Sequence, residues 1–270
     1  MALRDLFVHL DSSARCRARL DLAVALARRH DARLVGFHAE TAPAQRVGVV
    51  ATWPSAEYLA AAEASRAVFA AATAGLGDRA LFQDANRGGE AEVIARVVEA
   101  ARTADMVILG QSDGEAVRVP DDLPERVVLE SGRPVLMVPS NGIWADVGHR
   151  PMFAWTSARA AARALADGIA LVAPGADAAV VQAASGEAPL EEAAERVIAH
   201  LAAHGIAARH QSVVVEEVRL MDTLLNRAAD HAADLMIIGA FENAGFPFVG
   251  RGSGTRYVLR HLTLPVLFSH

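Results

Sequence analysis

The sequence predicts an α/β fold built twice in tandem, each copy an open parallel sheet with helices on both faces. The first observation is a repeat. Ala104-Asp105-Met106-Val107-Ile108-Leu109-Gly110 returns about 130 residues later as Ala233-Asp234-Leu235-Met236-Ile237-Ile238-Gly239. Pro134-Val135-Leu136-Met137-Val138-Pro139-Ser140 returns in the same order as Pro265-Val266-Leu267-Phe268-Ser269-His270. Solenoid repeats run only about 20–50 residues, so this period marks a duplicated domain. The second observation is alternation: apolar runs follow helical stretches along the whole chain, the pattern of right-handed βαβ crossovers. The third is that those runs are continuously apolar, as strands covered on both faces should be.

The elements follow in order. Leu6 to Leu10 is a buried strand, and Asp11-Ser12-Ser13 after it is expected to cap a helix. An Ala/Leu/Arg helix runs to about His30, then Arg33 to His38 is a second strand. Thr41 to Pro54 holds two prolines and no helical period, so a loop is expected. Ser55 to Ala74 is helical and stops at Gly75 and Gly77. Ala80 to Gln83 is a weak strand, Glu90 to Thr103 a helix and Met106 to Leu109 a strand. A loop over Gln111 to Asp122 precedes a helix near Leu123 to Glu130 and the strand Val135 to Val138. Asn141 to Gly148 reads as the linker, giving repeats at residues 1–142 and 149–270. The second repeat has strands at Met152–Trp155, Ala178–Gln182, Gln211–Val215, Leu235–Ile238 and Val266–Phe268. Its helices lie near Ala158–Ala170, Pro189–His204, Val218–Ala232 and Ser253–Leu262.

Composition narrows the function. Hydrophobic residues at 53% with charged residues at 21% describe a globular protein rather than a disordered one. No apolar run approaches the ~20 residues that cross a bilayer. The opening Met1-Ala2-Leu3-Arg4-Asp5-Leu6 places an acid where a signal peptide is apolar. A single Cys16 forms no internal disulfide. A cytoplasmic protein without membrane contact is expected. The net charge of −6, with no basic patch interleaved with aromatics, argues against nucleic acid. The chain has no lysine, and all 26 basic residues other than histidine are arginine. That excludes Schiff-base chemistry, the P-loop lysine and the kinase strand lysine.

Open parallel sheets bind ligands at the carboxyl ends of their strands, which directs attention to Asp11, Gly110, Thr156 and Gly239. After Gly239 the chain runs through Glu242, Gly245, Gly250, Gly252, Ser253, Gly254 and Thr255 into a helix. Backbone N–H groups at a helix start, with hydroxyls beside them, form an anion site. A flexible connection capped by Ser253 is the simpler alternative.

These motifs together resemble the tandem universal stress proteins. The family's repeat opens with a strand ending in Asp, carries the Ala-Asp-apolar-Gly run, and continues into a loop of the form G-x2-G-x9-G-[S/T]. It closes with a helix and a Pro-Val-Leu strand. The outline is matched in both halves. The resemblance implies a five-stranded Rossmann-like sheet per repeat, of the adenine-nucleotide-alpha-hydrolase type, and packing of the repeats as a pseudo-dimer through their last strands. It also implies a nucleotide (ATP or AMP, with Mg2+ as its companion) held by the first-strand Asp, the second strand and the glycine loop. In the second repeat Gly239 matches the first glycine of that loop and Gly252-Ser253 its terminal Gly-Ser; Gly250, Gly254 and Thr255 lie in the same stretch and are expected at the phosphates with them. Thr156 stands where the Asp belongs, and Glu242 replaces the second glycine. In the first repeat Asp11 and Gly110 match, Asp113 replaces the second glycine, and Leu123-Pro124 replaces Gly-Ser. The expected function is a non-catalytic stress-response module binding an adenine nucleotide in the second repeat, self-associating as a homodimer and at most a slow ATPase. A nucleotide-free scaffold of the same fold is the alternative. A carrier or enzyme using the crevice for a flavin or lipid is the third reading.

Other candidates carry less. His200 and His204 share a helix face near Glu191, Glu192 and Glu195, without HExxH or Cys, so a solvated face is expected over zinc. His9 and His38 lie in strands and are expected to be buried and hydrogen-bonded. Ser12, Ser13 and Ser157 lack the G-x-S-x-G of a nucleophile elbow and are expected to cap helices. Trp53 and Trp155 are expected in packing rather than stacked on a base.

Overall fold

In the computed structural model, residues 3–47, 50–112, 118–184, 191–214, 220–241 and 253–270 are described. The chain forms two compact units. One, here the N-terminal unit, comprises residues 2–135 with 143–146; the C-terminal unit comprises 136–142 with 147–270. Strands and helices alternate through both, as two tandem parallel α/β repeats.

The N-terminal unit is built on β1 (Asp5–Leu10), β2 (Arg33–His38), β5 (Ala80–Asp84) and β6 (Met106–Gly110), in the order β6-β1-β2-β5. The pairs are parallel, with Phe7 opposite both Val35 and Val107. Leu6, Val8, Val107 and Ile108 are fully buried, which is why these runs read as apolar without alternation. Helices α1 (Cys16–His30), α2 (Ala56–Thr73), α3 (Glu90–Ala101) and α4 (Leu123–Glu130) connect them. Ser55 caps α2 by accepting the Tyr58 N–H at 3.3 Å. The Tyr58 hydroxyl donates to Asp84 at 3.0 Å and accepts the Asn86 N–H at 2.7 Å, fixing the turn after β5.

The C-terminal unit repeats the plan with β8 (Pro151–Trp155), β9 (Ala178–Ala184), β10 (Ala208–Val214), β11 (Leu235–Gly239) and β12 (Val266–Ser269), in the order β10-β9-β8-β11-β12. These pairs are also parallel. Its helices are α5 (Arg159–Gly168), α6 (Glu191–Ala203), α7 (Leu220–Asp230) and α8 (Ser253–Arg260). A strand β7 (Val135–Val138) precedes this half. Among the described residues, no helix is long and apolar enough to cross a membrane.

Four expectations are corrected. The stretch expected as a loop before α2 contains a hairpin, β3 (Gln45–Val47) with β4 (Val50–Thr52). Three-residue strands carry too little alternation to register as a pattern. Strand β10 begins at Ala208, three residues before the expected start. Neither Ser12 nor Ser13 caps α1: Arg15 is the residue before the helix and makes no side-chain cap. Likewise Ala158, not Ser157, precedes α5, without a side-chain cap.

Candidate functional site

The carboxyl end of the N-terminal sheet is filled by one arginine. Arg19 projects from the first turns of α1, where Cys16, Leu20, Ala23 and Ala27 form the buried stripe, and it is itself only 3% exposed. Its Nε donates to the His9 carbonyl at 2.8 Å, and its Nη2 donates to Asp11 Oδ2 at 2.7 Å. A Cβ on Gly110 would fall 2.1 Å from Nη1, so the glycine at the end of β6 makes room for the guanidinium. The cavity that remains, edged by Ser13, Arg15, Gln111, Ser112, Leu123 and Pro124, has a volume of about 20 Å³. That is room for a water.

Asp11 therefore has its partners inside the fold. Oδ1 accepts the Ser13 N–H at 2.8 Å, an Asx turn that diverts the chain before α1 begins. Burial works to raise its pKa, but the Arg19 cation, with His9 and Ser13, holds the carboxyl well below the usual carboxylate range. His9 is buried, and its Nε2 is 2.7 Å from the Ala39 carbonyl, as expected of a strand histidine. Burial pushes its pKa down to about 4, with Arg19 adding to that and Asp11 opposing it. Glu40, fully buried, accepts the Ser12 N–H at 2.8 Å and Arg118 Nη1 at 3.3 Å. Arg118 also binds Glu57, tying the turn after β2 to α2.

His38 departs from expectation. It is fully buried, yet neither ring nitrogen has a hydrogen-bond partner; its ring lies 5.7 Å from that of Tyr58. Burial lowers its pKa against the pull of Glu40, Asp84 and Asp11.

The C-terminal crevice differs. Trp155 closes β8 and pairs in register with Gln182 of β9, so the two side chains share a face. The Trp155 Nε1 and the Gln182 Oε1 are buried without a partner. Thr156 follows, half-buried. Gly239 ends β11 under α5: a Cβ there would lie 2.6 Å from the Ala160 carbonyl carbon and from the Ala161 nitrogen. Beyond it Phe241 takes a left-handed φ of 56°, and its N–H donates to Thr255 Oγ1 at 2.8 Å. Thr255 is thus buried and engaged in holding the exit of β11. Ser253 is exposed at the start of α8, and Gly254 lies against Met221. Glu242, Gly250 and Gly252 lie outside the described residues, as does Asp113.

The structure thus brings Asp11 and Gly110 together around Arg19, and separately sets Ser253, Gly254 and Thr255 on α8, with Thr255 bonded to the exit of β11. Arg19, Glu40, Arg118 and Gln182 went unremarked in the sequence. For Arg19 the signal was there: an arginine inside an i, i+3, i+4 apolar stripe. His200 and His204 pack edge to face, ring centroids 4.9 Å apart, on α6 and just beyond it. Among the described residues, no group of three or more His, Cys, Asp or Glu side chains could hold a metal. Trp53 packs against Tyr58 with the rings tilted at 51° and centroids 4.8 Å apart, and its Nε1 donates to the Asn86 carbonyl.

Residues 155–270 match the model of the universal stress protein family. The fold is similar to that of a universal stress protein from Archaeoglobus fulgidus DSM 4304: TM-score 0.72, 14% identity, covering 98% of this chain and 96% of that one. A functionally unknown protein from Pseudomonas aeruginosa PAO1 has TM-score 0.62 and 17% identity, covering 99% of this chain and 92% of that one. Identities this low speak for the fold alone. No curated protein matches the sequence.

Proposed function

We propose that this tandem protein, whose residues 155–270 are a universal stress protein domain, binds one adenine nucleotide per chain, in its second repeat. The repeats on this reading are residues 1–142 and 149–270. The supporting observation is an asymmetry between the two crevices. In the first, Asp11 and the space beside Gly110 are taken by Arg19. In the second, the Trp155 Nε1 at the end of β8, next to Thr156, and the Gln182 Oε1 opposite it on β9 are buried unsatisfied. Unpaired buried polar groups cost about 1–3 kcal/mol each, which a ligand with complementary edges would recover. A planar heterocycle offers such edges. Gly239, Gly250, Gly252, Ser253, Gly254 and Thr255 then form the phosphate end, where α8 presents its N-terminal N–H groups. Mg2+ would accompany ATP on the phosphates. Self-association of chains belongs to the same reading.

The site is a binder rather than a catalyst. The Ser253 hydroxyl is exposed and free to turn to a phosphate, whereas the Thr255 oxygen already accepts from Phe241. Titration calorimetry with ATP and magnesium tests this. Ser253→Ala is expected to bind about tenfold more weakly, the worth of one hydrogen bond to a charged group. Equal affinity removes Ser253 from the site. A filtrate of denatured, freshly purified protein that contains no nucleotide, with no heat on titration, favours a nucleotide-free scaffold.

A further inference from the structure

The geometry points to the N-terminal crevice being a guanidinium site that the chain fills itself, with Arg19 as its fixed internal ligand. The observations are independent of the second repeat. The slot lies between the carboxyl ends of β1 and β6, and its walls are acceptors. The His9 carbonyl takes Nε, Asp11 takes Nη2, and the bare Cα of Gly110 faces Nη1. A flat, forked cation is what those three sides fit, with separate in-plane donors on Nε and Nη2; a lysine ammonium, a compact point charge on a flexible stem, does not match that fork.

The charge around the slot agrees with its shape. Besides Asp11, the fully buried Glu40 holds the Ser12 N–H one residue further on. At the other edge α4 starts with Leu123-Pro124, and Pro124 has no N–H to offer an anion. The acceptor walls that meet the guanidinium are therefore built for a cation. The same side chain that satisfies Asp11 also shuts the repeat, leaving only about 20 Å³ beside it. In an open crevice of this fold the ligand comes from solution; here it comes from α1, eight residues after the carboxylate it binds.

Arg19→Ala removes the atoms of ethylguanidinium, so that ion is the probe. The variant is expected to melt roughly 10 °C lower, because a buried carboxylate loses its partner. Ethylguanidinium at about 20 mM is expected to recover roughly half of that loss by occupying the vacated slot. Ethylammonium at the same concentration is expected to recover none. The wild type and the Asp11→Asn/Arg19→Ala double variant are expected to respond to neither. A variant as stable as the wild type overturns the proposal, as does equal stabilisation by both cations. Should Arg19→Ala not fold, the wild type carries the test by NMR. The Arg19 Nη hydrogens, assigned through their contacts with Gly110, are expected in slow exchange with solvent at neutral pH. Exchange at the rate of an exposed arginine overturns the proposal. No nucleotide enters either experiment, so the outcome is separate from the reading of the second repeat.

Discussion

Replacing Gly239 with valine is expected to destabilise the C-terminal unit by about 3 kcal/mol or more. Helix α5 is seated on β11 by a glycine at each end. Gly168 of the helix lies over Ile237, where a Cβ would meet Cγ2 at 2.7 Å, and Gly239 of the strand lies under Ala160 and Ala161. At Gly239 the colliding atoms are helix backbone, so no rotamer change relieves the clash; the whole helix must lift from a sheet it covers. Gly254 is the control. A Cβ there would approach only the Met221 methyl at 2.9 Å, the far end of a flexible side chain, so Gly254→Ala is expected to cost little. Urea midpoints of the two variants decide it: a Gly239→Val protein that unfolds with the wild type removes the packing account. The result also governs how binding data are read. Packing alone demands this glycine, so a Gly239 variant that loses nucleotide does not show that Gly239 touches phosphate. Ser253 is the cleaner probe, because nothing in the core depends on it.

The architecture was legible because its signals are redundant. Buried parallel strands such as Met106–Gly110 and Leu235–Gly239 must be continuously apolar, and the duplication prints that signal twice. Helix α4 falls on the residues its pattern indicated, between Asp122 and Ser131. The hairpin of β3 and β4 was not legible, since six residues in two pieces carry no periodicity of their own. The site was legible as positions but not as roles. Asp11 and Gly110 stand at the carboxyl ends of β1 and β6, as expected of the crevice, yet their partner is Arg19, which local reading assigns to a helix rich in arginine. Only the fold shows that this arginine faces in. Likewise Asp11-Ser12-Ser13 has the composition of an N-cap, but the Asp11 carboxylate bonds Ser13 and Arg19 instead, and α1 starts only at Cys16. His38 was expected to find a partner; its orphaned nitrogens depend on side chains from β5 and α2 that no local pattern connects to it.

Acidification from pH 6.5 to 4 is expected to cost the protein about 3 kcal/mol of stability through His9 alone. The folded pKa of His9 is pushed from its ordinary 6.5 down to about 4, first by burial and then by the Arg19 cation. The unfolded chain therefore takes up a proton as the pH falls through 6.5, while the folded chain does not until the pH is near 4. Within that window the unfolded state binds more protons, so stability falls; above it His9 contributes no slope. Asp11 acts in a different window. Its folded pKa lies below its ordinary value of 3.8, so its contribution is full above that value and is lost only at lower pH. His38, lowered by burial, adds to the His9 slope in the same direction. His9→Gln keeps an amide that can reach the Ala39 carbonyl but has no proton to gain. Its stability at neutral pH is expected to be lower, since the ring's packing is lost, yet its decline between pH 6.5 and 4 is expected to be shallower than that of the wild type by about 3 kcal/mol. Urea unfolding of both proteins across that range separates the two effects, because packing shifts the whole curve while titration changes its slope. Parallel curves would mean that His9 is protonated together with the unfolded chain. Burial would then not be holding the histidine neutral.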